Sequence, residues 1–137
     1  MKILIVDDHK IHRQVLAKFL KNELSADVLE GTNGLEGIQI FTQKEIDIVI
    51  TDLNMPKMDG IVMSKELKKI NPDTPIIALS MADDSISIKK MIAAGAKSYI
   101  LKGCDTKELL EAIDRALKGE EYFQPSVSKK ILSSQLK

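Results

Sequence analysis

The sequence has 137 residues, enough for one domain with a buried core, and its 20 basic and 20 acidic residues cancel to a net charge of zero. This balance excludes a strong electrostatic attraction to nucleic acid or to an anionic membrane. The single cysteine, Cys104, excludes an internal disulfide, and no apolar stretch approaches the ~18 residues of a membrane span. We therefore expect a cytoplasmic domain that contacts neither nucleic acid nor membrane directly.

Short apolar runs rich in isoleucine and valine alternate along the chain with segments of helical spacing. Four runs are typical of strands buried on both faces and a weaker one of an edge strand; in chain order they are residues 3–6, 26–29, 46–50, 75–79 and 99–101. This alternation predicts an α/β fold with a single doubly wound, five-stranded parallel sheet of the (βα)5 type. We expect the flavodoxin-like strand order 2-1-3-4-5, because the most apolar strands belong at the centre.

Each segment between the strands carries an apolar stripe that predicts a helix. The stripes consist of Val15, Leu16, Phe19 and Leu20; Leu35, Ile38 and Phe41; Met63, Leu67 and Ile70; Ile88, Met91 and Ile92; and Leu109, Ile113, Ala116 and Leu117. Asp59 precedes the third helix, and Asp105 with Glu108 has the spacing of a capping box before the fifth. Gly95 and Gly119 lie where the fourth and fifth helices should end.

The pattern changes after Gly119. Residues 126–137 are rich in serine and lysine but keep Val127, Ile131 and Leu132 at roughly helical spacing. We therefore predict one domain over residues 1–119, followed by a connector or C-terminal tail, partly helical, over residues 120–137.

Polar side chains follow the ends of four predicted strands. Asp7 and Asp8 follow the first strand, Asp52 the third, Ser80 the fourth and Lys102 the fifth. Because the carboxyl ends of parallel strands lie on one side of a sheet, with neighbours about 4.8 Å apart, we expect these side chains to converge. Taken singly, Asp52 is explained as a turn residue, Asp8 as a helix cap and Lys102 as a solvated loop lysine. Their joint placement indicates a site.

Three crowded carboxylates repel one another, so they tend either to hold protons or to bind a cation. Oxygen ligands suit Mg²⁺, with Mn²⁺ as an alternative. Between a metal and a lysine, Asp52 is placed to act as a nucleophile that forms an aspartyl phosphate. In that chemistry Lys102 and the metal stabilise the phosphoryl oxygens, and Ser80 donates a hydrogen bond to them.

Four stretches together resemble the receiver domain of two-component response regulators, a CheY-like fold. They are Val6-Asp7-Asp8-His9, Thr51-Asp52-Leu53-Asn54-Met55-Pro56-Lys57-Met58-Asp59-Gly60, Leu79-Ser80 and Gly95-Ala96-Lys97-Ser98-Tyr99-Ile100-Leu101-Lys102-Gly103. The resemblance covers residues 1 to about 119 and implies that Asp52 is the phosphoacceptor. It implies that the metal ligands are Asp7, Asp8, Asp52 and the backbone carbonyl of Asn54. It also implies that Lys102 and Ser80 stabilise the phosphoryl group, and that Ser80 and Tyr99 are the switch residues.

The resemblance also implies a regulatory switch rather than an enzyme. Its phosphodonor would be a sensor histidine kinase or a histidine phosphotransfer protein, and its output face would consist of the fourth helix, fifth strand and fifth helix. Residues 119–125 are similar to the end of receivers in NarL/FixJ-type transcription regulators, which continue into a DNA-binding domain. Two forms stay open: a receiver taken from such a regulator, and a stand-alone receiver that controls a protein partner. Homodimerisation on phosphorylation is a further expectation.

A haloacid-dehalogenase-type phosphatase is the alternative from a different class, since it also uses a strand-end aspartate with Mg²⁺. That family requires a second aspartate two residues after the nucleophile, where this chain has Asn54. A smaller alternative concerns Tyr99, as a half-exposed aromatic of an edge strand. His9 and His12 are expected to be solvated surface groups near the site, with a phosphohistidine role as their alternative. Met81, bulkier than the residue usual there in receivers, is expected to narrow access to it.

Overall fold

A parallel sheet with helices on both faces forms the centre of the computed structural model, which describes residues 1–135. The strands are β1 Lys2–Val6, β2 Asp27–Gly31, β3 Ile48–Thr51, β4 Ile76–Ser80, β5 Ser98–Leu101 and β6 Tyr122–Phe123. The helices are α1 Lys10–Leu24, α2 Gly34–Gln43, α3 Gly60–Ile70, α4 Ser85–Ala93, α5 Thr106–Leu117 and α6 Pro125–Gln135. The strand order β2-β1-β3-β4-β5-β6 confirms the predicted fold, but the predicted count of five strands is wrong by one.

Alternating side chains of the strands fill two apolar cores, one on each face of the sheet. In β1, Ile3 and Ile5 point to the layer of α1 and α5, whereas Leu4 and Val6 point to the layer of α2, α3, α4 and α6. Because both faces are covered, the inner strands are mainly apolar, whereas the edge strand β2 carries the polar residues Asp27 and Glu30.

The predicted helix boundaries are largely confirmed. Asp59 and Asp105 are N-caps whose carboxylates accept a backbone N–H from the first turn of α3 and α5. The capping box is wrong in its second half, because Glu108 instead accepts a hydrogen bond from the side chain of Gln124. Gly95 follows α4 with a φ of 117°, a left-handed value that favours glycine.

Some members of the predicted apolar stripes are exposed. They are Val15, Leu35, Ile70 and Leu117. Val15 lies beside a groove between α1 and α5, lined also by Leu16, Phe19 and Leu109. Among the described residues, none of the helices has the length and apolarity needed to cross a lipid bilayer.

Residues 122–135, which we call the C-terminal extension, lie against the sheet and α4. Strand β6 pairs in parallel with β5, and the side-chain carbonyl of Gln124 accepts the backbone N–H of Leu101 at 2.8 Å. Val127 of α6 is buried in the same core as Ile88 and Met91 of α4. The predicted output face is therefore covered by the chain itself at the edge of β5 and against α4. The last two residues of the predicted tail, Leu136 and Lys137, lie outside the described residues.

Candidate functional site

Charged side chains from three strand ends meet at one edge of the sheet. Lys102 extends from the end of β5 to the end of β3, where its Nζ lies 2.8 Å from Asp52 Oδ2 and 3.0 Å from Asp7 Oδ2. Asp8 and His9 complete the group, which we call the acid pocket. The sheet thus brings together side chains that are up to 95 residues apart in the sequence, as the strand-end argument predicts.

The backbone fixes the position of Asp52. Its N–H donates to the carbonyl of Val6 at 3.0 Å, and its Oδ1 accepts the N–H of Leu53 at 2.7 Å. Gly60, the first residue of α3, packs so closely that a Cβ there would lie 2.0 Å from the carbonyl oxygen of Asp52. The start of α3 therefore holds the end of β3 in place, and it does so only with glycine at this position.

Opposite charges in the acid pocket stabilise each other's ionised forms. Burial alone would raise the pKa of Asp7, but hydrogen bonds from the backbone of His9 and from Lys102 outweigh it and hold that pKa below its usual value. Burial would likewise lower the pKa of Lys102, but its hydrogen bonds to Asp52 and Asp7 raise it. At neutral pH this pocket therefore contains an ammonium group and an ionised Asp7.

The N-cap residue of α1 and two residues within that helix contact Asp7. His9 Nδ1 lies 3.0 Å from Asp7 Oδ1, His12 Nδ1 lies 3.0 Å from Oδ2, and Arg13 donates to the backbone carbonyl at 2.8 Å. Both histidines were predicted to be solvated groups near the site, and Arg13 was missed. Their spacing was the available signal, because residues i, i+3 and i+4 share one helix face. His9, not Asp8, is the N-cap residue of α1.

Ser80 and Tyr99 both bond to the backbone of Ala82. Ser80 Oγ accepts the N–H of Ala82 at 3.1 Å, and the hydroxyl of Tyr99 donates to its carbonyl at 2.6 Å. Tyr99 has 0 % exposure, so its interpretation as a half-exposed edge aromatic is wrong. Burial raises the pKa of Tyr99 to about 12. The loop after β4 therefore connects the two predicted switch side chains.

The entrance to the acid pocket is a cavity of about 470 Å³, lined by His9, His12, Met81, Lys102 and Gly103. Met81 is exposed at this entrance. Asn54 is exposed in the loop that follows β3, two residues beyond Asp52.

The donor atoms of the pocket suit a metal ion. One ligand atom from each of Asp7, Asp8, His9 and Asp52 lies within 4.8 Å of the others. Carboxylates are the ligands that Mg²⁺ and Mn²⁺ prefer. The residues present therefore fit a divalent cation.

The fold and the pocket define a class, the flavodoxin-like α/β proteins that carry their functional site at the carboxyl ends of parallel strands. Within that class, residues 3–114 match the family model of the response regulator receiver domain. The chain belongs to this family, whose members are generally regulatory switches in two-component systems.

Curated relatives of the chain are transcriptional regulatory proteins. LiaR from Bacillus subtilis is 35% identical over 134 residues, which cover 97% of this chain and 64% of LiaR. DegU from Brevibacillus brevis is 29% identical over 133 residues, which cover 96% of this chain and 56% of DegU. The chain therefore spans about three fifths of the length of these relatives.

Two solved structures of response regulators have a fold similar to that of this chain over almost its whole length. A LuxR-family two-component response regulator from Aurantimonas has a TM-score of 0.92 at 26% identity, covering 99% of this chain and 98% of that one. The isolated receiver domain of RcsB from Salmonella enterica, solved with the phosphomimetic BeF₃⁻, has a TM-score of 0.85 at 27% identity, covering 95% of this chain and 97% of that one.

Proposed function

We propose that this chain is a phosphoacceptor switch that receives a phosphoryl group on Asp52. The observation that carries the proposal is the contact of 2.8 Å between Lys102 Nζ and Asp52 Oδ2. An ionised carboxylate needs no separate base to attack phosphorus, so catalysis reduces to positioning and charge neutralisation. Lys102 supplies a positive charge beside the nucleophile, and Leu53 holds its other oxygen through the backbone N–H.

The remaining pocket residues serve the same step. Asp7, Asp8, Asp52 and the backbone carbonyl of Asn54 would hold a divalent cation, Mg²⁺ above all. When bound, such a cation neutralises charge on the phosphoryl oxygens. His12 and Arg13 orient Asp7 by contacting its carboxylate and its backbone. Ser80 donates its hydroxyl hydrogen to the phosphoryl group once the contact with Ala82 is released.

We propose that the signal leaves the pocket through the loop after β4. When Ser80 turns towards the phosphoryl group, it loses its hydrogen bond from the backbone N–H of Ala82. The carbonyl of Ala82 accepts the hydroxyl of Tyr99, so a movement of Ala82 also changes the position of Tyr99. The next residue, Asp83, pairs with Lys130 of α6 at 3.5 Å. A local charge change therefore shifts a loop that contacts the C-terminal extension, which makes α6 part of the output surface.

The phosphodonor in this proposal is a histidine kinase or a histidine phosphotransfer protein. Residues 1–119 form the receiver, and residues 120–137 connect it to an output.

One solved RcsB structure is described as two RcsB dimers bound to two parallel DNAs. By analogy, we propose a DNA-binding output beyond this chain and self-association after phosphorylation, measured by light scattering with and without BeF₃⁻. A stand-alone receiver that controls a protein partner is the second form of the proposal.

The central test is incubation with Mg²⁺ and acetyl phosphate, followed by intact-protein mass spectrometry. Wild type should gain one phosphoryl group, and Asp52→Asn should gain none. Asp73→Asn is the matched control, because Asp73 is an exposed aspartate that precedes β4 at the opposite end of the sheet. Uptake by Asp52→Asn, or equal loss in both variants, would contradict the assignment of Asp52.

The same samples test the phosphatase alternative. A receiver releases at most one phosphate per loading event, whereas a haloacid-dehalogenase-type enzyme turns over many molecules of a phosphomonoester. Asn54 occupies the position where that family needs an acid, and it lacks a transferable carboxyl proton. Sustained hydrolysis of p-nitrophenyl phosphate, lost in Asp52→Asn, would favour the phosphatase.

A further inference from the structure

His9 places a nitrogen atom among the carboxylates of the acid pocket. Its Nδ1 lies 3.0 Å from Asp7 Oδ1 and 3.6 Å from both Asp8 Oδ1 and Asp52 Oδ2. Around an octahedral ion with bonds of about 2.1 Å, neighbouring ligands are about 3.0 Å apart and opposite ligands about 4.2 Å apart. The distances from His9 Nδ1 to the three carboxylates are therefore close to those of a ligand that shares one ion with them.

Hydrogen bonding alone does not satisfy His9. The ammonium of Lys102 has only donors and lies 3.1 Å from Nδ1, so this contact is favourable only if Nδ1 carries a lone pair. That lone pair then faces Asp7 Oδ1 at 3.0 Å, which is repulsive. A proton on Nδ1 reverses the two contacts without satisfying both. A cation between the nitrogen and the carboxylates makes their convergence favourable.

We propose that His9 is a metal-selecting ligand of the acid pocket. Its nitrogen donor shifts the preference of the site from Mg²⁺ towards first-row transition ions, because imidazole binds those ions well whereas Mg²⁺ strongly favours oxygen. The inference rests on the metal site of the proposed function and adds its ion preference. The side chain of His9 is 61% exposed, so it has room to turn towards a bound ion.

His12 offers a matched contrast on the same helix. Its Nδ1 also lies 3.0 Å from Asp7, but it contacts the other carboxylate oxygen, Oδ2, which Lys102 also contacts. Its ion pairing involves Asp7 alone among the described residues, whereas His9 reaches all three aspartates. His12 therefore orients Asp7, and of the two histidines it is His9 that faces the centre of the carboxylate cluster.

The first test is isothermal titration of Mg²⁺ and Co²⁺ into wild type, His9→Asn and His12→Asn. Asparagine keeps a polar side chain but removes the nitrogen ligand. We expect the Kd for Co²⁺ to rise about 10-fold or more in His9→Asn, and the Kd for Mg²⁺ to change by less than about 3-fold. His12→Asn should leave the ratio of the two constants unchanged. An unchanged ratio in His9→Asn, or the same loss in His12→Asn, would overturn the inference.

The second test detects the nitrogen directly. Protein labelled with ¹⁵N-histidine is loaded with Mn²⁺ and studied by pulsed electron paramagnetic resonance. Wild type and His12→Asn should show coupling to a ligating ¹⁵N nucleus, and both His9→Asn and His9→Ala should lose it. Absence of coupling in wild type, or its survival without His9, would overturn the inference.

Phosphoryl uptake measured on the same preparations separates this inference from the proposed function. A wild type that shows the histidine coupling but takes up no phosphoryl group contradicts the proposed function and supports His9 as a ligand. A wild type that takes up the phosphoryl group with Mg²⁺ but shows no coupling overturns only the inference.

Discussion

The acid pocket and the C-terminal extension differ in what holds them. The pocket stands on the ends of β1, β3 and β5, whose apolar side chains are packed on both faces of the sheet. The extension joins the domain through a strand of two residues, the side chain of Gln124 and the pairing of Lys130 with Asp83. Its apolar contacts are fewer than those of the strands: Val127 is buried, and Tyr122, Phe123 and Ile131 are partly buried against the two cores. A rigid site is therefore linked to a lightly attached element.

This difference matters for a switch. Local opening requires little free energy where few buried apolar groups and few backbone hydrogen bonds hold an element. Phosphorylation changes one point charge, and only an element near balance responds to so local a change. We therefore expect the pocket to keep its geometry while the extension changes its degree of attachment. The predictions below test each half of that comparison.

Loss of Lys102 should have the largest effect. Lys102→Ala removes the ammonium that contacts Asp52 and Asp7, so we expect phosphoryl uptake from acetyl phosphate to slow about 10²- to 10³-fold. The rate is measured by mass spectrometry at fixed Mg²⁺. Lys107→Ala, an exposed lysine on α5, should react like wild type. A loss below 10-fold would show that Lys102 is not a main stabilising group.

Gly60 tests how firmly the pocket is held. Gly60→Ala places a Cβ against the carbonyl oxygen of Asp52, so we expect the free energy of unfolding to fall by about 1–3 kcal/mol or more. Gly119→Ala is the control in the loop before the extension: its φ of 77° is unfavourable for alanine, but no atom lies within 4 Å of a new Cβ. Urea denaturation compares the two. An equal or larger loss in Gly119→Ala would contradict the tight packing at Asp52.

Val127 tests the attachment of the extension. Val127 is only 1% exposed, so Val127→Ala should weaken its packing by about 2 kcal/mol. If α6 opens as a local unit, its amides should exchange with deuterium about 10- to 30-fold faster while those of β3 keep their rates. Leu132→Ala, an exposed change on the same helix, should have no such effect. Equal acceleration in β3 would show that the extension and the sheet unfold together.

The same contrast explains how far the sequence predicts the molecule. The apolar runs predict the strand order, because many residues contribute to each run. The geometry of parallel sheets then predicts that Asp7, Asp52 and Lys102 meet at the ends of their strands. Strand β6 has only Tyr122 and Phe123, too few residues for any periodicity, and it exists because the edge of β5 is available. Its position therefore depends on tertiary packing.

Single side-chain contacts were equally hard to predict. Glu108 has capping-box spacing, but Gln124 binds it instead, and Gln124 is brought close only by the pairing of β6. The position of His9 within the acid pocket depends on the direction in which α1 leaves β1. A sequence pattern indicates the face of a helix but not the angle at which the helix begins.

The smallest expected effect concerns Asp7 and pH. Because its pKa in the folded state lies below the ordinary value of about 3.9, the ionised form contributes stability that is present above that value. That contribution is lost as the pH falls through the folded-state pKa. We therefore expect the difference in unfolding free energy between wild type and Asp7→Asn to shift in favour of wild type as the pH rises from 3 to 5. Urea denaturation in EDTA measures it, with Asp73→Asn as the exposed control. A difference that is independent of pH would show that the pocket does not stabilise the charge on Asp7, and the pairing with Lys102 would then be too weak to support a preorganised site.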